Sequence, residues 1–354
     1  MAEAIQMDRL RLTMVLLLSL DAAPALADAP DGVWSGTLGR SPVAVCFESG
    51  LAAYYYLKTG VDIALVEREG GFWEEKRGDQ PPTGTWQLSA AKGEALTGTW
   101  RSPNGKRDLP IRLRRADDQF EADSPVPAHK LHCRSPGYNA TRVEKAMRTR
   151  ELGKQESKGW LTVRPFTALD DNITGLEIVG DSAELSPLRR TVETINRELL
   201  AGYFECMTFV AASGGREFEF SGVVRLEGVT EHFVVVRQSD GYFCAGAHPD
   251  GEDAYFVLDR KSGKAVDIRS WLKGSRDAIG RKHWKSTRDD CADALLDDTS
   301  FVVWPSGSGM VFRPVLPHVN AACAEDVTVP YAALAGNLTA AGERAAAEFA
   351  AAAK

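Results

Sequence analysis

The residues of this chain best suited to chemistry lie in GYFCAGAHPDGEDAYFVLDRKSGKAVDI, residues 241–268. His248 sits in a small-residue turn, with Tyr242 ahead of it and Asp250, Glu252 and Asp253 close behind. A histidine in such company could serve as a general base, a metal ligand or a pH switch, with a carboxylate orienting its ring or sharing the metal. His318, after Leu316-Pro317, is the histidine to weigh beside it. Two histidines among scattered acids lack the spacing of a zinc site, so no metal is expected. We therefore read His248 as a turn brace whose ring nitrogen bonds a backbone carbonyl. The competing reading is a hydrolase or metal-dependent enzyme centred on His248 and the nearby carboxylates.

Other catalytic patterns are scarce. There is no Gly-x-Ser-x-Gly, and Ser306-Gly307-Ser308-Gly309 reads as a hairpin turn rather than a serine elbow. Gly-rich phosphate loops are absent and no cofactor is expected. Glu231-His232 reads as part of a strand, where alternation would send the two side chains to opposite faces. Glu67, Glu69, Glu74 and Glu75 could line a sugar-binding face with Trp73 and Trp86, although aromatic strand residues belong to cores more often.

The elements around these residues fall into two units. Residues 31–116 carry short apolar runs separated by turns such as Gly39-Arg40-Ser41-Pro42 and Lys58-Thr59-Gly60, the pattern of an all-β unit, a small antiparallel barrel or curled meander. Residues 117–158 are polar, with prolines at 125, 127 and 136. Their Thr141–Arg150 portion has helical character, but the whole reads as a linker. Residues 159–336 read as an α+β unit, an antiparallel sheet packed by helices. Ser186-Pro187 starts a helix with Leu188, Val192, Ile195 and Leu199 on one face. Strands are expected at Glu205–Ala212, Arg216–Leu226 and Glu231–Ser239. Tyr255, Val257 and Asp259 then alternate with Phe256 and Leu258 before a tight corner at Ser262-Gly263. A mixed helical passage is expected to Asp298, strands at Ser300–Trp304 and Gly309–Pro314, and an Ala-rich helical tail over 337–354 that anchors nothing.

The N-terminus reads as an export signal over residues 1–27. Arg9 and Arg11 precede the apolar Leu12–Leu20, and Ala25-Leu26-Ala27 is a cleavage site. The apolar core is shorter than the ~20 residues of a spanning helix, and Pro24 argues against a retained anchor. We expect a periplasmic or secreted protein with no membrane attachment after cleavage. The 6 cysteines all follow residue 27, which suggests disulfides. Order along the chain favours Cys46–Cys133, Cys206–Cys244 and Cys291–Cys323, with other connectivities open. None lies in a CxxC pair, which removes support for zinc ribbons and thioredoxin-type chemistry. A net charge of −7 gives no reason to expect nucleic acid as a partner.

Over roughly residues 160–336 the chain resembles the extracytoplasmic C-terminal domain of RsiV-type anti-sigma factors, a domain also found beside peptidoglycan deacetylase domains. The residues that carry the resemblance are Tyr242, Gly246-Ala247-His248-Pro249, Phe256-Val257-Leu258-Asp259 with Ser262-Gly263-Lys264, Gly309–Phe312, Leu316-Pro317-His318 and Val329-Pro330-Tyr331 to Leu334. The N-terminal unit looks like a small β domain of exported proteins of unknown function. The resemblance implies a non-catalytic envelope module for binding or sensing, with a lysozyme-like envelope protein or a peptidoglycan fragment as partner. Neither deacetylase nor sigma-binding activity carries over, because the parts that perform them are not matched.

Overall fold

The computed structural model describes residues 30–353, except 49–50, 79, 90, 117–132, 134–135, 215–217, 289–290 and 292. The expected signal segment lies outside the described residues. Two units follow one another as the sequence suggests, an all-β barrel and then an α+β assembly.

Eight strands form the barrel: β1 (Gly32–Leu38), β2 (Ser41–Glu48), β3 (Leu51–Tyr56), β4 (Asp62–Arg68), β5 (Phe72–Lys76), β6 (Thr85–Leu88), β7 (Ala95–Arg101) and β8 (Asp108–Arg115). Each pairs antiparallel with the next, and β8 closes on β1 with Gly36 opposite Leu113. A barrel of this size has room for little more than its own side chains. Trp34, Phe47, Tyr54, Trp86, Leu96 and Ile111 fill it. Trp73 and Trp86 belong to this core, the placement favoured from sequence, and Glu74 pairs with Arg68, so the alternative of a sugar-binding face on these residues does not form.

In β7 and β8 every second residue faces solvent, whereas β2 and β3 run almost continuously buried. The outer face of β2 and β3 is covered. Ala44, Cys46, Ala53 and Tyr55 pack there with Cys133 and Tyr138, and with Phe209 and Ala212 at the rim.

Part of the expected linker supplies this cover. Residues Pro136–Thr149 form helix α1, which packs on α2 (Ser186–Ala212). Arg142 of α1 is buried and bonds Asp62 of β4 at 2.6 Å, while Thr208 of α2 donates to Asp62 at 2.9 Å and Tyr138 does the same at 2.9 Å. The Arg142 guanidinium also lies 4.3 Å from the Tyr55 ring centroid. A polar-looking segment becomes a joint because its few apolar residues, Val143, Ala146 and Met147, share one helical face and enter the core.

Helix α2 corrects a second expectation. Residues 205–212, read as a strand, continue the helix to Ala212. Nothing breaks it before Ser213-Gly214, and Cys206 and Val210, which resemble strand residues, are buried. At 27 residues α2 is about 40 Å long, enough to reach from the second sheet to the barrel.

That sheet contains β9 (Glu151–Leu152), β10 (Glu156–Lys158), β11 (Leu161–Ala168), β12 (Ile173–Ile178), β13 (Glu219–Val229), β14 (Phe233–Phe243) and β15 (Asp250–Asp259). All pairs are antiparallel except β12–β13, which α2 connects. Asn196 of α2 is buried and bonds both backbone groups of Leu176 in β12, which pins the helix to the sheet. The Ser262-Gly263 corner follows β15. A Cβ on Gly263 would lie 2.5 Å from the Pro187 carbonyl carbon, and its φ of +66° suits glycine. Glu231 and His232 form the β13–β14 turn rather than a strand, and His232 Nδ1 lies 3.1 Å from Glu348.

A third, smaller sheet holds β16 (Phe301–Ser306), β17 (Gly309–Pro314) and β18 (Val327–Val329), with α3 (Arg276–His283) beside it. Ser306–Gly309 makes the β16–β17 turn. The tail helix α4 (Ala340–Ala352) is not a loose end. Phe349 is buried and stacks on Phe233 with centroids 6.0 Å apart. Among the described residues no helix is long and apolar enough to cross a membrane.

Disulfides join Cys46 to Cys133, Cys206 to Cys244 and Cys291 to Cys323. The first ties the barrel to the segment before α1, and the second ties α2 to the end of β14. Such bonds persist in oxidising, extracytoplasmic compartments.

Candidate functional site

At one end of the β13–β15 sheet, where the later turns of α2 pack on it, several acidic and aromatic side chains gather. Register explains which residues meet there. Phe220 pairs with Tyr242, Tyr242 with Asp250, and Asp240 with Glu252. Positions 220, 240, 242, 250 and 252 therefore share one face, the face that also carries Cys244 and its bond to Cys206 of α2.

The half-buried Tyr242 ring stacks on the buried Phe220 with centroids 6.1 Å apart. On one side lies a hollow of about 590 Å³ lined by Tyr203, Phe218, Glu219 and Asp250. On the other lies one of about 370 Å³ lined by Glu205, Phe209, Asp240 and Glu252. The two hollows together form an aromatic groove edged by carboxylates.

The electrostatics are one-sided. Burial raises the Asp240 carboxyl above the usual carboxylate range. The backbone N–H of Glu252, which donates to it at 3.0 Å, opposes that rise, while the charges of Glu252, Asp253 and Asp250 add to it. The Tyr242 phenol is raised by burial and by Asp250, Glu252 and Asp240, so it remains a neutral donor. Backbone strain borders the groove as well. Leu169, Asp170 and Asp171 have φ values of 58°, 54° and 68°, followed by Asn172 in the wall of the larger hollow, and Ala245 has φ 58° beyond β14. Left-handed non-glycine residues are costly and gather where the fold holds a surface in a set shape.

The residues expected to carry chemistry scatter. Tyr242 and Asp250 meet as register partners inside the groove. His248 lies exposed in the bend Cys244–Pro249, with Nδ1 3.3 Å from the Pro249 carbonyl, and lines neither hollow. That contact is to a backbone carbonyl, the kind of partner a brace requires. Asp253 points to the opposite face from Glu252, where it bonds Arg237 at 2.7 Å and also Arg313. His318 begins the 3₁₀ helix His318–Cys323 after the third sheet, and its side chain lies outside the described residues. Among the described residues, no group of three or more His, Cys, Asp or Glu side chains is arranged to hold a metal.

Sequence reading passed over Phe220, Asp240, Glu205 and Tyr203. The signal for Asp240 was the repeated acid–glycine pair, Asp240-Gly241 and Asp250-Gly251, flanking the turn. It becomes legible only when the hairpin register is known. Glu205 depends on α2 continuing through residues first read as a strand, and Phe220 and Tyr203 on how α2 packs on β13.

No family model matches this chain, and neither does any curated protein. Solved structures of the DUF3298 family, a family of unknown function, show some likeness. One from Bacteroides fragilis NCTC 9343 matches with TM-score 0.37 and 11% identity, covering 57% of this chain and 94% of its own. One from Pseudomonas aeruginosa PAO1 matches with TM-score 0.31 and 16% identity, covering 54% of this chain and 92% of its own. At these TM-scores the likeness carries no argument about the site, and the function is argued from the geometry of the groove.

Proposed function

We propose that this is an exported, non-catalytic binding module of the bacterial envelope, periplasmic or secreted, whose second unit recognises a basic protein surface. The observation that supports this most directly is the half-buried Tyr242, stacked on buried Phe220 and flanked by Asp240, Asp250, Glu252 and Glu205. Aromatic rings supply contact area at small entropic cost, and carboxylates at their margin select and steer a positively charged partner. A peptidoglycan fragment, whose own groups include carboxylates, would be repelled by this rim. A small basic envelope protein of the lysozyme type fits it, in line with the RsiV-type resemblance.

Binding of a basic lysozyme to the full chain, measured by calorimetry at several salt concentrations, tests the proposal. Affinity should fall steeply as salt rises, and Asp240→Asn with Glu252→Gln should lower it about tenfold. Tyr242→Ala should also weaken it, through faster dissociation. Binding that ignores both salt and the two neutralising substitutions would remove the groove as the site. A neutral muropeptide that binds there more tightly than lysozyme would replace the partner class.

A further inference from the structure

The barrel carries a second concave surface, of inverse charge. At the open end of the barrel a hollow of about 670 Å³ is lined by Arg40, Arg107 and Arg112, with Tyr56, Trp100 and Leu109 beside them. Arg40 belongs to the β1–β2 turn and Arg107 to the β7–β8 loop. The β1–β2 turn adjoins the start of β8, just after that loop, because Gly39 N–H donates to the Pro110 carbonyl at 2.8 Å. All three arginines are exposed, and among the described residues no side-chain carboxylate pairs with them. The nearest acid in sequence, Asp108, is already held by Arg101 through two bonds of 3.0 and 3.1 Å. Unpaired guanidiniums gathered at a hollow are unusual in a chain with a net charge of −7.

The aromatic part of this hollow is fixed in place. Trp100 Nε1 donates to the buried Glu75 at 2.8 Å, which sets the plane of the indole and leaves the ring half-buried at the mouth. Gly84 makes room for this arrangement, since a Cβ there would lie 2.1 Å from Trp100 Nε1. The Tyr56 ring stands 5.5 Å from that of Tyr54, which also donates to Glu75. The lumen beneath is filled by core side chains, so a ligand can occupy only the mouth, a common place for ligands on barrels.

We infer that the barrel mouth binds an anionic saccharide, with the sugar ring against Trp100 and Tyr56 and its carboxylate or phosphate between Arg40 and Arg107. A guanidinium fork matches either acid in a bidentate manner, and a pre-oriented indole offers a flat apolar face to a sugar. Arg112 on the outer strand face adds field rather than a direct bond. This site is separate from the acidic groove and does not depend on the reading given to it.

Calorimetry and tryptophan fluorescence on the full chain test this with N-acetylmuramic acid and glucose 6-phosphate, against N-acetylglucosamine, glucose and inorganic phosphate. At least one acidic sugar should bind, with its neutral counterpart and inorganic phosphate each about tenfold weaker or more. Which acid binds distinguishes a carboxylate from a phosphate ligand. Arg40→Ala combined with Arg107→Ala should abolish the preference for the acid without changing the melting temperature, whereas Asp240→Asn with Glu252→Gln should leave binding intact. The proposal is overturned by equal binding of the neutral sugars, by phosphate alone binding as tightly as the sugar acids, by indifference to the arginine substitutions, or by no binding of any probe.

Discussion

The barrel interior and the end of the second sheet are built from the same residue types, carboxylates among aromatic rings, yet they do opposite things. Glu75 is 3% exposed and accepts from Tyr54, Thr83, Trp86 and Trp100 at 2.5 to 2.9 Å. Burial and the Glu75 charge push the Tyr54 phenol far up, so it stays a proton donor. Asp62, the other buried carboxylate, is met by Arg142, Tyr138 and Thr208. At the sheet end Asp240 has one backbone donor and three acidic neighbours. A carboxylate whose partners all come from the fold holds the fold together. One left among like charges is available to something else.

The comparison breaks most visibly at Arg142. Arg142→Ala should destabilise by about 3–5 kcal/mol, because it leaves Asp62 buried without its counter-charge. Chemical denaturation of this variant beside Arg142→Met with Asp62→Asn measures it, and the double variant should recover part of the loss. A near-neutral Arg142→Ala would mean that the barrel and the helices are not joined through this pair.

Glu75→Ala should follow closely, at about 2–4 kcal/mol, since it strands the Tyr54 hydroxyl and two indole N–H groups inside the barrel. Glu75→Gln keeps one acceptor oxygen and should lose less. If both substitutions left the melt unchanged, Glu75 would belong with the rim carboxylates and the contrast would fail.

Asp240→Asn should act in the other direction and more weakly. The folded carboxyl is raised above its unfolded value, so the native state binds more protons. Its contribution to stability is present at acid pH and is lost as pH rises from the ordinary carboxylate value through the raised one. The asparagine variant should therefore melt higher than wild type at neutral pH, with the gap closing on acidification. Affinity for a basic partner should fall over the same acid window as Asp240 takes up a proton. A variant that melts lower at neutral pH would show that Asp240 is held for structure.

The smallest effect is expected at His248. The His248 ring is exposed and lies 3.3 Å from its neighbour's carbonyl, and exposed positions usually tolerate substitution, so His248→Ala should change stability by no more than about 0.5 kcal/mol. A larger loss in the same melts would restore the ring to a structural role.

Local periodicity alone determined much of this molecule. The turns and short strands of residues 31–116 could be read as a β unit, and Ser186-Pro187 with the apolar residues at helical spacing marked where α2 begins. The alternation from Tyr255 to Asp259 and the Ser262-Gly263 corner likewise follow from neighbours along the chain. Even the covered outer face of β2 and β3 left a trace, because Val43–Phe47 and Ala52–Tyr55 are apolar without alternation.

Only tertiary structure decided the rest. Residues 205–212 carry strand-like side chains but are helical, because Thr208 meets Asp62, 146 positions earlier, and Cys206 meets Cys244 on the next layer. The passage around Arg142 looks like a linker until Asp62, Tyr55 and Phe204 surround its guanidinium. The groove exists only because the β13–β15 register sets Phe220, Asp240, Tyr242, Asp250 and Glu252 on one face, and the barrel mouth because closure brings the β1–β2 turn beside the start of β8. Each of these outcomes turns on contacts between residues far apart in sequence, and such contacts override local propensity wherever burying or pairing a side chain is worth more than its intrinsic preference.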